Sequence, residues 1–110
     1  MFLATLADPH DGVAMTVNWI HTMPYAPNVF DCIVRIYNLD LFDAFGVRLI
    51  NERKILVDDS GPGFDPVPGS YSGGVLAVAG KTYLAELHLD FGGGIAEEWH
   101  VFKAPLKTAV

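Results

Sequence analysis

The chain has a single cysteine, Cys32, among its 110 residues. No internal disulfide can form, which excludes a small scaffold built on disulfides. Cationic residues are scarce: seven Lys and Arg stand against thirteen Asp and Glu, a formal net charge of −6. The seven are scattered along the chain, whereas nucleic-acid binding needs clustered cations facing phosphates, so no nucleic-acid partner is expected. No apolar run approaches the ~20 residues of a membrane-crossing helix, so no membrane span is expected. No segment carries a sustained 3.6-residue apolar stripe, and there is neither an internal repeat nor a low-complexity tract. Long amphipathic helices and repeat architectures are thereby set aside.

What is abundant is apolar residue. Hydrophobic types make up 51% and charged types only 18%, with a mean hydropathy of +0.30. A chain of this length forms one domain, residues 1–110, with one core and a large surface-to-volume ratio. So much apolar side chain on so small a body implies that part of its surface is covered, by another copy or by another protein subunit.

The apolar residues alternate. Val13, Met15, Val17 and Trp19 point one way and Ala14, Thr16 and Asn18 the other. Phe30, Cys32, Val34 and Ile36 alternate with Asp31, Ile33 and Arg35. Period two with β-branched and aromatic residues reads as strand, and MPYAPN between the two runs reads as loop. Residues 39–46 fit either a strand or a helical turn. VRLINERKILV reads as a hairpin around Asn51, Glu52 and Arg53. Residues 58–74 hold five glycines and three prolines in 17 residues and read as one long connection. VLAVA, TYLAELHLDF and EEWHVFK complete an all-β set of seven or eight strands. Val17, Trp19, Val34, Ile36, Leu87 and Trp99 are the expected core.

Three segments carry a resemblance. VNW (17–19), with its Trp, is similar to the second strand of a fibronectin type III or related immunoglobulin-like domain. VRIYN (34–38) resembles the third strand. AGKTYLAEL (79–87) resembles the corner entering the sixth, where Tyr83 would tie the turn to nearby backbone. The resemblance implies a single antiparallel immunoglobulin-like β-sandwich and implies no activity.

The residues that could carry chemistry are few. ELHLD (86–90), as a strand, puts Glu86, His88 and Asp90 on one face. With GGG (92–94) as a hairpin tip, Glu98 falls opposite His88 and His100 opposite Glu86. Imidazole and carboxylate ligands two apart on a strand can hold a metal, and Glu86, His88 and His100 would be its ligands. The simpler reading is a wet sheet face with acid–histidine pairs across the turn. That reading is adopted, with no metal, no cofactor and no catalytic residue. DPHDG (8–12) has the residues of a turn. Cys32 falls on the inward face of its strand and reads as core. Ser60, Ser70 and Ser72 lack a neighbouring His or an elbow motif.

Phe64, Val67 and Tyr71 are the candidate partner contacts in the long loop. The expected role is a non-enzymatic structural or adhesive subunit of a homo-oligomer or larger assembly, of the kind that decorates phage and viral particles. The alternative is a carbohydrate- or small-ligand-binding module using Tyr25, Phe64 and Tyr71. A metal-dependent enzyme using Glu86, His88 and His100 is the third reading. MFLATLADPHDG lacks a basic start and its apolar run is too short for a signal peptide, so a virion or cytoplasmic setting is expected.

Overall fold

A computed structural model describes residues 2–22, 31–42, 45, 47–61, 69–92 and 99–110, with no side-chain description at 40–42 and 48–52. Among the described residues eight strands follow one another: β1 (Phe2–Leu6), β2 (Ala14–His21), β3 (Asp31–Phe42), β4 (Arg48–Asp59), β5 (Ser70–Leu76), β6 (Thr82–Asp90), β7 (Trp99–Lys103) and β8 (Lys107–Thr108). They form two antiparallel sheets. One has the order β1-β2-β5; the other has the order β4-β3-β6-β7, with β8 also paired to β6. Among the described residues there is no helix.

The core lies between the sheets and is built by the alternation. Phe2, Ala4 and Leu6 of β1 and Met15, Val17 and Trp19 of β2 face Cys32, Val34 and Ile36 of β3 and Tyr83, Ala85, Leu87 and Leu89 of β6, all buried. Register locks these rows together. Cys32 lies opposite Leu89, Val34 opposite Leu87 and Ile36 opposite Ala85. A slip of one residue would turn each of these side chains out of the core. Phe2 staples the sheets at one end, its ring 6.1 Å from Phe91 and 5.8 Å from Phe102.

Four expectations are corrected and one open alternative is decided. VRLINERKILV is no hairpin: Arg48–Asp59 is one strand, and Asn51, Glu52 and Arg53 lie within it. It pairs with β3 through two register shifts, between Ile36 and Tyr37 and between Asp40 and Phe42. Such bulges break the strict alternation on which a reading of the sequence depends. Residues 39–42 are strand, the end of β3. The 58–74 connection is shorter than its composition implied, because β4 runs to Asp59 and β5 begins at Ser70. Val13 precedes β2 and is exposed, and Trp99 lies outside the core cluster.

Candidate functional site

ELHLD occupies the second half of β6, in the middle of the larger sheet, with β3 on one side and β7 on the other. Leu87 and Leu89 point into the core and Glu86, His88 and Asp90 point outward, as the alternation requires. The outward face is not wet, however. Glu86 and Asp90 are each only 2% exposed. Ile33, Leu39 and Leu84, outside the core cluster, are buried as well.

Glu86 is the hub. Its Oε1 lies 2.9 Å from His88 Nε2, and its Oε2 accepts a hydrogen bond from Lys54 Nζ at 2.9 Å. The same ammonium sits 4.3 Å from the centroid of the Tyr37 ring, a cation–π contact. Burial by itself would push the Glu86 carboxyl up. The Lys54 and His88 hydrogen bonds and charges outweigh it, and the group is held below its ordinary value of 4.5. A buried carboxylate with both oxygens engaged is a structural tie that joins β4 to β6 across β3. Each carboxylate oxygen of Glu86 thus holds one partner from the fold.

His100 does not join this cluster. Lys103 stands opposite Glu86 where His100 was expected, three residues further along, and Val101 stands opposite His88. An offset of an odd number of residues turns the strand over. His100 therefore pairs with inward-facing Leu89 and stacks edge-on against Phe91, ring centroids 5.1 Å apart. For the same reason Val101 faces outward and is exposed. Glu98 lies outside the described residues. Among the described residues no group of three His, Cys, Asp or Glu side chains could hold a metal ion.

The other polar candidates are bound into the fold. Asp11 Oδ1 accepts the Ala79 N–H at 3.0 Å, and the Asp11 N–H donates to the Val110 carbonyl. Lys107 Nζ donates to Asp8 Oδ1 at 2.8 Å, which holds the Asp8 carboxyl below its ordinary value. The Ser60 hydroxyl accepts the Val34 N–H, while the Ser72 hydroxyl pairs with Thr16. Cys32 is a buried thiol in no disulfide.

Of the three candidate partner contacts, Phe64 and Val67 lie outside the described residues, as does Tyr25. Tyr71 belongs to β5, and its ring packs against the core. Its hydroxyl donates to Asp58 Oδ1 at 2.9 Å, across the open side between β5 and β4. Burial and then the Asp58 hydrogen bond push the phenol up to about 12. Asp58 Oδ2 is buried with no hydrogen-bond partner. It rests against Gly73, where any Cβ would collide with the carboxylate. Lys54, Asp58 and Gly73 all escaped the reading of the sequence. Asp58 and Gly73 fell in the 58–74 stretch that read as loop, and Lys54 in the segment that read as a hairpin.

The surface is the remaining feature. Leu3, Ile20, Ile55, Leu56, Leu76, Val78, Val101 and Leu106 are all exposed large apolar side chains. Leu3 and Ile20 are directly opposed across β1 and β2, at 46% and 64% exposure. A groove of about 520 Å3 runs between β1 and β7, lined by Phe2, Ala4, Val101, Phe102, Lys103 and Pro105 among others. No protein-family model, curated protein or solved structure matches this chain. Among the described residues the chain is an all-β sandwich of two antiparallel sheets, three strands against five.

Proposed function

We propose that this protein is a non-enzymatic, immunoglobulin-like β-sandwich subunit that works by associating through its surface, with copies of itself or with another protein in a larger assembly. The carrying observation is the set of exposed apolar side chains. Leu3 and Ile20 form an opposed pair on the outside of one sheet, and Ile55, Leu56 and Val101 line the outside and edges of the other. Scattered single exposures are ordinary. Opposed and edge-lining ones, on a chain with this composition, favour a covered surface. The polar cluster favours the same reading, since Glu86 is engaged by both Lys54 and His88, as in a structural tie.

The immunoglobulin-like assignment draws support from three features. The first, second and fifth strands share one sheet and the third, sixth and seventh the other. This is the constant-type arrangement except that the fourth strand pairs with the third. Trp19 is buried on the second strand. The Tyr83 hydroxyl, at the start of the sixth, accepts the Val78 N–H five residues upstream at 3.0 Å, the geometry of a tyrosine corner.

Light scattering on the purified chain tests the proposal. A mass that rises with concentration above the 12.0 kDa of one chain is the expected result. A 12.0 kDa species at every concentration up to millimolar would overturn association with itself, and capture of no partner from the source material would overturn the rest.

A further inference from the structure

The groove between β1 and β7 joins an apolar floor to an uncompensated cation. Phe2 and Phe102 form the floor, their rings 5.8 Å apart, and Phe2 is anchored in the core. Val101 and Pro105 add apolar wall on the β7 side and Leu3 on the β1 side. The polar side chains of the lining are Thr5 and Lys103. The space between them, about 520 Å3, is that of a small-molecule site. Such sites are concave and mostly apolar, with a few polar groups that fix the orientation of what they hold.

Lys103 differs from the other lysines of the sheets. Lys54 pairs with Glu86 and Lys107 with Asp8. Lys103 stands directly opposite Glu86 across β6 and β7, but the partners of Glu86 are Lys54 and His88. Among the described residues no carboxylate forms an ion pair with Lys103. An ammonium left over on a chain with thirteen acidic and seven basic residues, beside an apolar groove, is the complement of a carboxylate on an apolar body.

Charge and burial narrow the occupant further. The net charge of −6 repels a small inorganic anion or a polyanion from the molecule as a whole. A ligand must therefore gain from burying apolar area as well as from the local cation. One lysine in the lining matches one negative charge. Phe2, Ala4 and Leu6 of β1 are buried, so the groove offers side chains rather than a free strand edge. That favours a compact body over an extended polypeptide, which docks by adding a strand.

We propose that the groove between β1 and β7 binds a small amphipathic monocarboxylate, its tail over Phe2, Phe102 and Val101 and its carboxylate on the Lys103 ammonium. The site goes beyond the assembly-subunit reading and does not rest on it, since one chain carries the whole groove.

Octanoate is the probe, with octanol sharing its tail and acetate its head. Each is titrated into the full chain at neutral pH and followed by amide chemical shifts in NMR. Octanoate is expected to move the amides of Leu3, Val101, Phe102 and Lys103 saturably, with a dissociation constant of about 1 mM or tighter. Octanol and acetate should each bind at least about tenfold more weakly, because each lacks one half of the recognised chemistry. Lys103→Gln alters an exposed side chain and should bring octanoate down to the level of octanol. Val101→Glu, also at an exposed position, should weaken octanoate by a similar factor through like-charge repulsion. Absence of a saturable shift at the groove, or shifts centred instead on Val13 and Leu76, overturns the site. Octanol binding as tightly as octanoate, or Lys103→Gln binding octanoate as the parent does, overturns the recognition of a carboxylate. These results are independent of the mass measured by light scattering, so failure of this proposal leaves the subunit reading standing, and a monomeric parent leaves the groove standing.

Discussion

Replacing Gly73 by Ala tests the tie between the sheets at a single point. The backbone at 73 is not in the left-handed region, so an alanine is not strained there. The obstacle is the Asp58 carboxylate, which a Cβ at 73 would strike. Asp58 can escape only by turning about its own side-chain bonds, and its Oδ1 holds the Tyr71 hydroxyl. The variant therefore loses a hydrogen bond to a charged acceptor, ~1.5–3 kcal/mol. Against this, glycine-to-alanine replacement restricts the unfolded chain and returns ~0.4–1 kcal/mol. The net loss should be about 1–2 kcal/mol, read by urea unfolding with an unchanged m-value. In a Tyr71→Phe background the hydrogen bond is already gone and the carboxylate is free to turn. There the same replacement should be neutral or slightly stabilising, so the double-mutant cycle should show a coupling of at least about 1 kcal/mol. Additivity within ~0.5 kcal/mol, or a Gly73→Ala protein as stable as the parent, would refute the argument.

Trp19→Ala should cost ~3–5 kcal/mol in chemical unfolding, since the ring is buried between the sheets; a loss under ~1 kcal/mol would contradict its place in the core. Glu86 is held below its ordinary 4.5, so the stability it contributes is present above that pH and is lost as pH falls through its lower folded value. Glu86→Gln should flatten the acid limb of stability against pH, and an unchanged limb would show that Lys54 and His88 do not hold the carboxylate. Tyr71 titrates higher in the folded protein, at about 12 against an ordinary 10.0. Its contribution is complete below pH 10 and lost as pH rises towards 12, so Tyr71→Phe should remove that part of the alkaline loss. Zinc should leave the melting temperature of the parent unchanged, because His100 lies on the opposite sheet face from Glu86 and His88. A zinc-dependent rise that disappears in a His88→Gln, His100→Gln variant would reinstate the metal reading.

Much of the fold was legible in the sequence because a strand buried on one face must alternate. Met15, Val17 and Trp19, then Cys32, Val34 and Ile36, then Tyr83, Ala85, Leu87 and Leu89 mark the inward rows by their spacing alone. The tie that Tyr83 makes to the Val78 N–H was legible only through the resemblance of AGKTYLAEL to an immunoglobulin-like corner. The candidate site was legible only in its parts. The ELHLD stretch sets which side chains point outward, but β4 and β3 bring Lys54 and Tyr37 to that face, and their positions depend on two bulges that local pattern does not reveal. The partner of Glu86 across β6 and β7 depends on register, and there a three-residue offset exchanged His100 for Lys103 and reversed the strand's faces. Alternation is a local property of the chain, fixed by backbone geometry residue by residue. Register and burial belong to pairs of distant segments, and only the assembled sheets decide whether an outward carboxylate meets water or the ammonium of Lys54.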